Sequence, residues 1–277
     1  DHQAWAAPVV FLLAFGESLA FLSLMVPGWA ALVGIGALMG ASGINFWPTA
    51  DHWVELMEQH LCYKKFGSYG ADWGSAVSTQ LGHKYADKLH GIYISLGMPL
   101  DVFIRPFPGE EAFAPEEKHW FTKNQHFFAL ESGYSALQAT KPQTLAYGLN
   151  DSPVGQCAWI LEKRRTWSDC GGDVESVFTK DELLTTMTLY WATQSAGSSA
   201  RYYYECVHNP WSPSHNRQPV VGAPTGLAAF ENEVALMPKA WAENYYNLKR
   251  YRHFEKGGHF APIVSWTPRN ESACTWM

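Results

Sequence analysis

A sharp change of composition near residue 50 divides the chain into two unlike parts. Between His2 and Asp51 the only charged residue is Glu17. A helix needs about 20 apolar residues to cross a bilayer core, and residues 6–25 meet that length whereas residues 29–44 fall short of it. Residues 1–50 therefore favour a membrane-associated helical segment over a pair of core helices in a soluble protein. Glu17 would be costly in lipid, so we expect it to face a partner or the interface.

From Asp51 onward the composition is that of an ordinary folded domain. Over the whole chain, 47% of the residues are apolar and 17% are charged, which supports a sizeable core. The formal net charge is -6 and no cluster of basic residues stands out, which argues against a nucleic-acid partner. The 5 cysteines are scattered without a Cys-x-x-Cys motif, which favours reduced thiols over a zinc site or disulfides. The apolar run indicates association with a membrane, whereas the reduced thiols indicate the cytoplasm, so we expect a membrane-associated or a cytoplasmic location.

Apolar runs and turn signals in residues 51–262 predict an α/β domain. Strands are expected over residues 64–69, 89–95, 219–223 and 249–255, and a helix over residues 76–82. Between the second and third of these strands, residues 107–206 are mainly helical in pattern, with a capping box at Thr179–Glu182 ahead of a helix over residues 183–204. The order predicts a sheet with a helical cap inserted between its strands.

The sequence Gly70-x-Asp72-x-Gly74 is typical of a nucleophile elbow, in which a reactive side chain sits on a sharp strand-to-helix turn. An aspartate at its centre can displace a leaving group at saturated carbon and form an alkyl ester, which water then cleaves. This chemistry suits epoxides or alkyl halides rather than peptides or esters. The alternative interpretation is a glycine-rich turn with a capping aspartate.

Downstream residues could supply the rest of such a site. The loop Gly257–Phe260 follows a predicted strand, and His259 on that loop is suited to act as a general base. Glu233 follows another strand-like stretch and could orient His259, with Glu231 as a competitor. Tyrosine hydroxyls could bind the leaving oxygen. The predicted cap offers Tyr134 and the run 202–204, although packing is the commoner role for such residues.

Residues 51–261 resemble the catalytic part of epoxide hydrolases of the α/β-hydrolase superfamily, most of all the microsomal type. Eight blocks in the same order carry the resemblance: 70–75, 131–144, 148–155, 160–163, 190–191, 198–203, 224–226 and 257–260. By this resemblance Asp72 is the nucleophile, and Tyr134 and Tyr203 are the cap tyrosines that open the ring. Glu233 is the charge-relay acid and His259 is the base.

The same resemblance implies a reaction and its partners. The substrate would be a small apolar epoxide, opened with water to a vicinal diol, and detoxification is the implied role. The backbone N–H of Trp73 would donate to the oxyanion, and no cofactor or metal would be needed. Ahead of Asp72 the chain shows neither the His-Gly-x-Pro oxyanion loop nor the core strands that family members carry there.

Residues 4–48 are similar to the amino-terminal part of DedA-family membrane proteins, through the segment 15–29. The rest of such a protein is not seen, so no transport function is implied, and residues 263–277 are interpreted as a tail. Two alternatives to an epoxide hydrolase remain. One is a haloalkane dehalogenase on the same fold, which would need Trp or Asn side chains to bind halide. The other is an inactive, membrane-bound fragment.

Overall fold

The computed structural model describes residues 44–104 and 107–261. The predicted membrane-associated segment up to residue 43, with most of the DedA-like stretch, lies outside these ranges, and so does the tail over residues 263–277. Among the described residues, no helix is both long enough and apolar enough to cross a membrane.

In the part of the chain that the structure describes, four parallel strands form one sheet, and their spatial order is their order in the chain. They are β1 (Phe66–Gly70), β2 (Leu89–Ile94), β3 (Val221–Asn232) and β4 (Tyr246–Gly258). Because parallel strands end at the same edge of a sheet, the residues that follow β1, β3 and β4 are brought together there. Those residues include Asp72, Glu233 and His259.

All four predicted strands are present, but β3 and β4 are longer than the sequence pattern predicted. β3 continues to Asn232 instead of ending at residue 223. Its residues from Leu227 to Phe230 are all buried, so both faces of this strand are covered and no polar alternation marks it. β4 begins at Tyr246, which is fully buried, and runs to Gly258.

Three helices pack with the sheet. They are α1 (Phe46–Glu55), α2 (Trp73–Lys84), which crosses over from β1 to β2, and α9 (Lys239–Tyr245), which joins β3 to β4. Phe46 and Ala50 of α1 are fully buried in the same core as the strands. The domain core therefore includes residues that composition assigned to the apolar segment 1–50.

The segment between β2 and β3 is a helical cap, as predicted. Its helices are α3 (Lys118–His126), α4 (Gly133–Thr140), α5 (Pro142–Asp151), α6 (Pro153–Thr166), α7 (Lys180–Ala192) and α8 (Ala196–His208). The predicted single helix over residues 183–204 is wrong, because the chain breaks at Gln194, which has a φ of 51°. No Gly or Pro marks this break in the sequence.

Short helical turns complete the described chain. Single 3₁₀ turns lie at Ala86–Lys88, Glu110–Ala112, Pro115–Glu117 and Val174–Ser176, and π-helical turns at Leu56–His60 and Phe127–Glu131. The capping box ahead of α7 forms as predicted, with the Glu182 N–H donating to Thr179 Oγ1 at 3.2 Å and the Thr179 N–H donating to Glu182 Oε2 at 2.7 Å. Phe113, Trp120 and Cys206 of the cap region share the core of the sheet, so cap and sheet pack as one body.

Candidate active site

Asp72 occupies a sharp turn between β1 and α2. Its φ of 49° and ψ of -125° are unfavourable for a residue with a side chain and are typical of a nucleophile elbow. Gly70 permits the turn, because a Cβ there would lie 2.0 Å from the carbonyl oxygen of Gly74. A Cβ on Gly74 would meet nothing within 4 Å, so only the first glycine of the motif is sterically required.

Hydrogen bonds fix the elbow to the sheet and leave the carboxylate free for chemistry. Ser75 Oγ donates to the Gly70 carbonyl at 2.8 Å and accepts from the Leu96 N–H at 3.3 Å. The Asp72 side chain does not cap α2, although its position at that helix N-terminus favours a negative charge. The backbone N–H of Trp73, the next residue, helps to lower the pKa of the Asp72 carboxylate, which is the group expected to develop the oxyanion.

His259 lies between two carboxylates. Its Nδ1 is 2.6 Å from Glu233 Oε1, and its Nε2 is 3.6 Å from Asp72 Oδ1. His259 and Glu233 are both buried, and the Val234 N–H donates to the same Glu233 oxygen at 2.8 Å. The imidazole thus has its Nδ1 side fixed by an acid and its Nε2 side directed towards the elbow.

The competing acid Glu231 faces a different group of side chains. Its Oε2 accepts from Trp120 Nε1 at 3.0 Å and is 2.9 Å from His253 Nε2, while its Oε1 is 3.3 Å from His119 Nε2. The structure therefore brings Glu233, and not Glu231, to His259.

Two cap tyrosines meet in front of Asp72. The rings of Tyr134 on α4 and Tyr203 on α8 meet edge to face, with centroids 5.8 Å apart. Tyr203 also packs edge-on against Trp73 at 4.7 Å. Its neighbours point elsewhere: the Tyr202 hydroxyl is 3.1 Å from Thr49 Oγ1, and the Tyr204 ring stacks on His208 at 3.7 Å.

The charge of Asp72 is set by competing effects. Desolvation by neighbouring protein atoms would raise the pKa of the carboxylate, but the charge of nearby His259, the Trp73 N–H and the charge of Arg164 together lower the pKa below its usual value. The Asp72 side chain is nevertheless 53% accessible, so we place it at the wall of a space that water can enter. An ionised and accessible carboxylate is the form that a nucleophile requires.

The opposite shift holds for His259. Burial would lower its pKa, but the charge of Glu233 and the nearby Asp72 carboxylate outweigh burial and raise the pKa to about 10. Burial, then the charge of Asp72, raises the pKa of the Tyr134 hydroxyl, and burial likewise raises that of Tyr203. At neutral pH the site therefore holds an imidazolium between two carboxylates, beside two neutral phenols.

Sequence reasoning missed two residues near this site, Arg164 and Trp167 at the end of α6. The Arg164 guanidinium lies 4.1 Å from the ring centroid of Phe260 and, among the described residues, has no carboxylate within ion-pair distance. The Trp167 ring is 5.3 Å from His259 and 5.1 Å from Tyr134. No motif marks either residue, and basic residues in the last turn of a helix are common for electrostatic reasons alone.

The parallel sheet, the elbow and the inserted cap define an α/β-hydrolase, and comparison with known proteins agrees. The crystal structure of juvenile hormone epoxide hydrolase from the silkworm Bombyx mori matches with a TM-score of 0.67 and 27% identity, over 78% of this chain and 55% of that one. The described domain therefore has the α/β-hydrolase fold and is similar to a solved epoxide hydrolase.

Curated relatives support the same family. The chain is 41% identical over 220 residues to a protein of Stigmatella aurantiaca that is itself assigned to the epoxide hydrolases, covering 79% of this chain and 48% of that protein. It is 34% identical over 253 residues to epoxide hydrolase 1 of Sus scrofa, covering 85% of this chain and 55% of that protein. The chain thus spans about half the length of these relatives. No protein-family model matches it.

Proposed function

We propose that this chain hydrolyses epoxides to vicinal diols through an ester on Asp72. One observation carries the proposal: a carboxylate at an elbow, a buried histidine–glutamate pair and two phenols converge on one space. His259 Nε2 lies 3.6 Å from Asp72 Oδ1, and the two tyrosine rings meet edge to face with centroids 5.8 Å apart beside Trp73.

In the first step, an Asp72 oxygen attacks a ring carbon of the epoxide and the carbon–oxygen bond of the ring breaks. The oxygen that leaves the carbon takes a proton from Tyr134 or Tyr203. Burial and the charge of Asp72 keep both phenols protonated at neutral pH, so each enters the reaction as a hydrogen-bond donor. The product of this step is a hydroxyalkyl ester on Asp72.

In the second step, formation of the ester on Asp72 allows His259 to act as a base. Esterification removes the negative charge of Asp72, which is one of the two charges that raise the pKa of His259. The pKa therefore falls, and the proton that the imidazole releases restores the phenol that gave up its own. Neutral His259 then takes a proton from water, and the resulting hydroxide attacks the ester carbonyl, whose oxyanion the Trp73 N–H stabilises. The bond between the acyl carbon and the diol oxygen then breaks, and that oxygen takes the proton of the new carboxyl group. Asp72 is left as a carboxylate beside protonated His259.

The walls around Asp72 favour a small apolar epoxide. Trp73 stacks on Phe103 at 5.6 Å and contacts Tyr203, while Trp167 packs beside Tyr134. Aromatic walls bind apolar groups by burying their surface, and the tyrosine hydroxyls supply the polar contact that orients the ring oxygen.

The dehalogenase alternative is disfavoured by the surroundings of Trp73. A tryptophan next to the nucleophile could bind halide through its indole N–H, but the Trp73 ring meets the ring of Tyr203 edge-on at 4.7 Å. The paired tyrosines have a role in opening an epoxide and none in releasing halide.

The proposal is tested by diol formation from styrene oxide and cis-stilbene oxide. We expect the unchanged chain to form diol, Asp72→Ala to lose activity by about 10³-fold or more, and Asp87→Ala, an exposed aspartate on a 3₁₀ turn, to match the unchanged chain. Diol formation that survives Asp72→Ala would contradict the proposal, and halide release from an alkyl bromide would favour the dehalogenase.

Membrane association and a role in detoxification belong to this proposal as well. The apolar composition of residues 1–50 supports association with a membrane. Fractionation of cells that express the chain tests this: recovery in the membrane fraction is expected, and recovery in the soluble fraction would favour the cytoplasmic alternative.

A further inference from the structure

The loop that carries Glu233 is held by the cap. This segment, residues 231–238, is called the acid loop. It begins with the last two residues of β3 and contacts helix α3 of the cap. Buried Asn124 pairs with both backbone groups of Leu236, donating to its carbonyl at 2.7 Å and accepting from its N–H at 2.9 Å. Lys123 Nζ donates to the Glu231 carbonyl and is 3.4 Å from Asn232 Oδ1. These contacts lie on both sides of Glu233.

The loop that carries His259 is held by another part of the cap. This base loop, residues 257–260, meets the segment that follows α6. The Trp167 carbonyl accepts from the His259 N–H at 2.9 Å, and Asp169 Oδ2 accepts from the Gly257 N–H at 2.9 Å. Both contacts are made within two residues of the His259 side chain.

Gly258 lies where the cap segment and the two loops meet. A Cβ at this position would be 2.6 Å from the Trp167 carbonyl oxygen and 2.9 Å from the Asn232 carbonyl oxygen. The cap segment and the acid loop therefore pack directly against the base loop, and a shift of the cap would disturb both loops together.

We infer that the cap, besides supplying tyrosines, positions the pair that activates water: Lys123 and Asn124 hold the acid loop, and Trp167 and Asp169 hold the base loop. The inference rests on the proposed function. The nucleophile sits on the elbow in the sheet, and the tyrosines sit on α4 and α8. The Trp167 ring also packs beside Tyr134, so the inference is tested at Lys123 and Asp169 instead. Loss of these contacts should therefore slow hydrolysis of the ester and spare its formation.

Two variants with matched controls separate the two steps. Lys123→Met removes the two contacts with the acid loop, and Asp169→Ala removes the contact with the Gly257 N–H. The matched controls are Lys118→Met on the same helix, which removes an exposed pairing with Glu110, and Asp173→Ala in the same cap segment, which removes a cap on the Glu175 N–H. Rapid-quench kinetics with cis-stilbene oxide give the rate of ester formation and the steady-state rate, and intact mass gives the amount of ester.

In both variants we expect the rate of ester formation to stay within about twofold of that of the unchanged chain and the rate of ester hydrolysis to fall about tenfold, because proton transfer slows steeply when the base is displaced. The ester should therefore accumulate. The controls should match the unchanged chain. Unchanged hydrolysis in both variants overturns the inference, and so does a parallel fall of both steps.

A second measurement does not depend on activity. If the unchanged chain forms no ester at all, the proposed function fails, and amide hydrogen exchange then decides the inference alone. Faster exchange in residues 231–238 of Lys123→Met and in residues 257–260 of Asp169→Ala supports it. Exchange that matches the unchanged chain in both loops overturns it.

Discussion

The Asp72 carboxylate owes its charge to the residues around it. Burial alone would favour the protonated acid, and the imidazolium of His259 is the main group that opposes this effect. The interaction is reciprocal, since Asp72 and Glu233 together keep His259 protonated. The first step of the proposed reaction therefore begins from an ionised nucleophile over the whole neutral range.

This charge arrangement predicts the pH dependence of ester formation. Because the pKa of Asp72 lies below its usual value of about 3.9, the burst rate should stay flat between about pH 7 and pH 5. In His259→Gln the positive neighbour is lost, so the pKa of Asp72 rises and the acidic limb moves to higher pH, while the ester accumulates because it is no longer hydrolysed. A burst profile in His259→Gln that overlays that of the unchanged chain would contradict this account.

The two cap tyrosines make a second prediction at this scale. Tyr134→Phe and Tyr203→Phe should each slow ester formation about 10²-fold, because each removes a donor to the opening ring. Tyr204→Phe is the matched control, since it makes the same change on α8 to a ring that stacks on His208. Stopped-flow measurement of the burst gives the rates. Equal losses in Tyr203→Phe and Tyr204→Phe would count against the role of Tyr203.

Individual residues were predicted from the sequence to unequal extents. The elbow motif at Asp72, the candidate base His259 and an acid at position 231 or 233 could be read from residue types and spacing, whereas only the resemblance to a family selected Glu233. The choice of Tyr203 over its neighbours could not be read in this way, because successive helical residues point about 100° apart and composition does not say which direction faces Asp72. Only the resemblance to a family indicated Tyr203, and the structure turns that ring towards Tyr134.

At the scale of the elements, His83 joins helix α2 to the segment that returns from the cap to β3. His83 is fully buried, with Nδ1 at 2.7 Å from the Val220 carbonyl and Nε2 accepting from the Ser214 N–H at 3.0 Å. This arrangement requires neutral imidazole with its proton on Nδ1. Burial accordingly lowers the pKa of His83, although the bond to Val220 opposes the shift.

Acidification should weaken this junction. A histidine whose folded-state pKa is lowered contributes stability that is present above its unfolded pKa of about 6.5 and is lost as the pH falls towards the folded value. His83→Gln should cost about 1–3 kcal/mol of unfolding free energy near pH 7 and should lose less further stability than the unchanged chain between pH 7 and pH 5. Urea unfolding at both pH values measures this, and equal losses would contradict it.

The elements themselves were predictable where the pattern was local. β1, β2 and the capping box of α7 were anticipated, since each carries its signal within a few residues. The length of β3 was not, because its buried run from Leu227 to Phe230 has no alternation. The break between α7 and α8 was missed since Gln194 adopts a positive φ without glycine.

For the molecule as a whole, the cap and the sheet share one core. Phe113, Trp120 and Cys206 of the cap region are buried with Phe46 and the strand residues. The cap also holds the acid and base loops by hydrogen bonds. These contacts join residues far apart in the chain. Because they have no local signal in the sequence, they could not be predicted from it.

This shared core predicts cooperative unfolding. The purified chain should show one thermal transition, coincident for far-ultraviolet circular dichroism and tryptophan fluorescence, because cap and sheet cannot separate without exposing common apolar surface. Two separate transitions, or none, would instead support an incomplete and inactive fragment.

The most direct test of the central claim, an ester on Asp72, is a single turnover in ¹⁸O water with enzyme in excess over styrene oxide. Because water enters at the ester carbonyl, the account predicts that the peptide containing Asp72 gains one ¹⁸O atom while the diol of that first turnover carries none. Label found in the first diol, with none in Asp72, would show direct attack of water on the epoxide and would contradict the account.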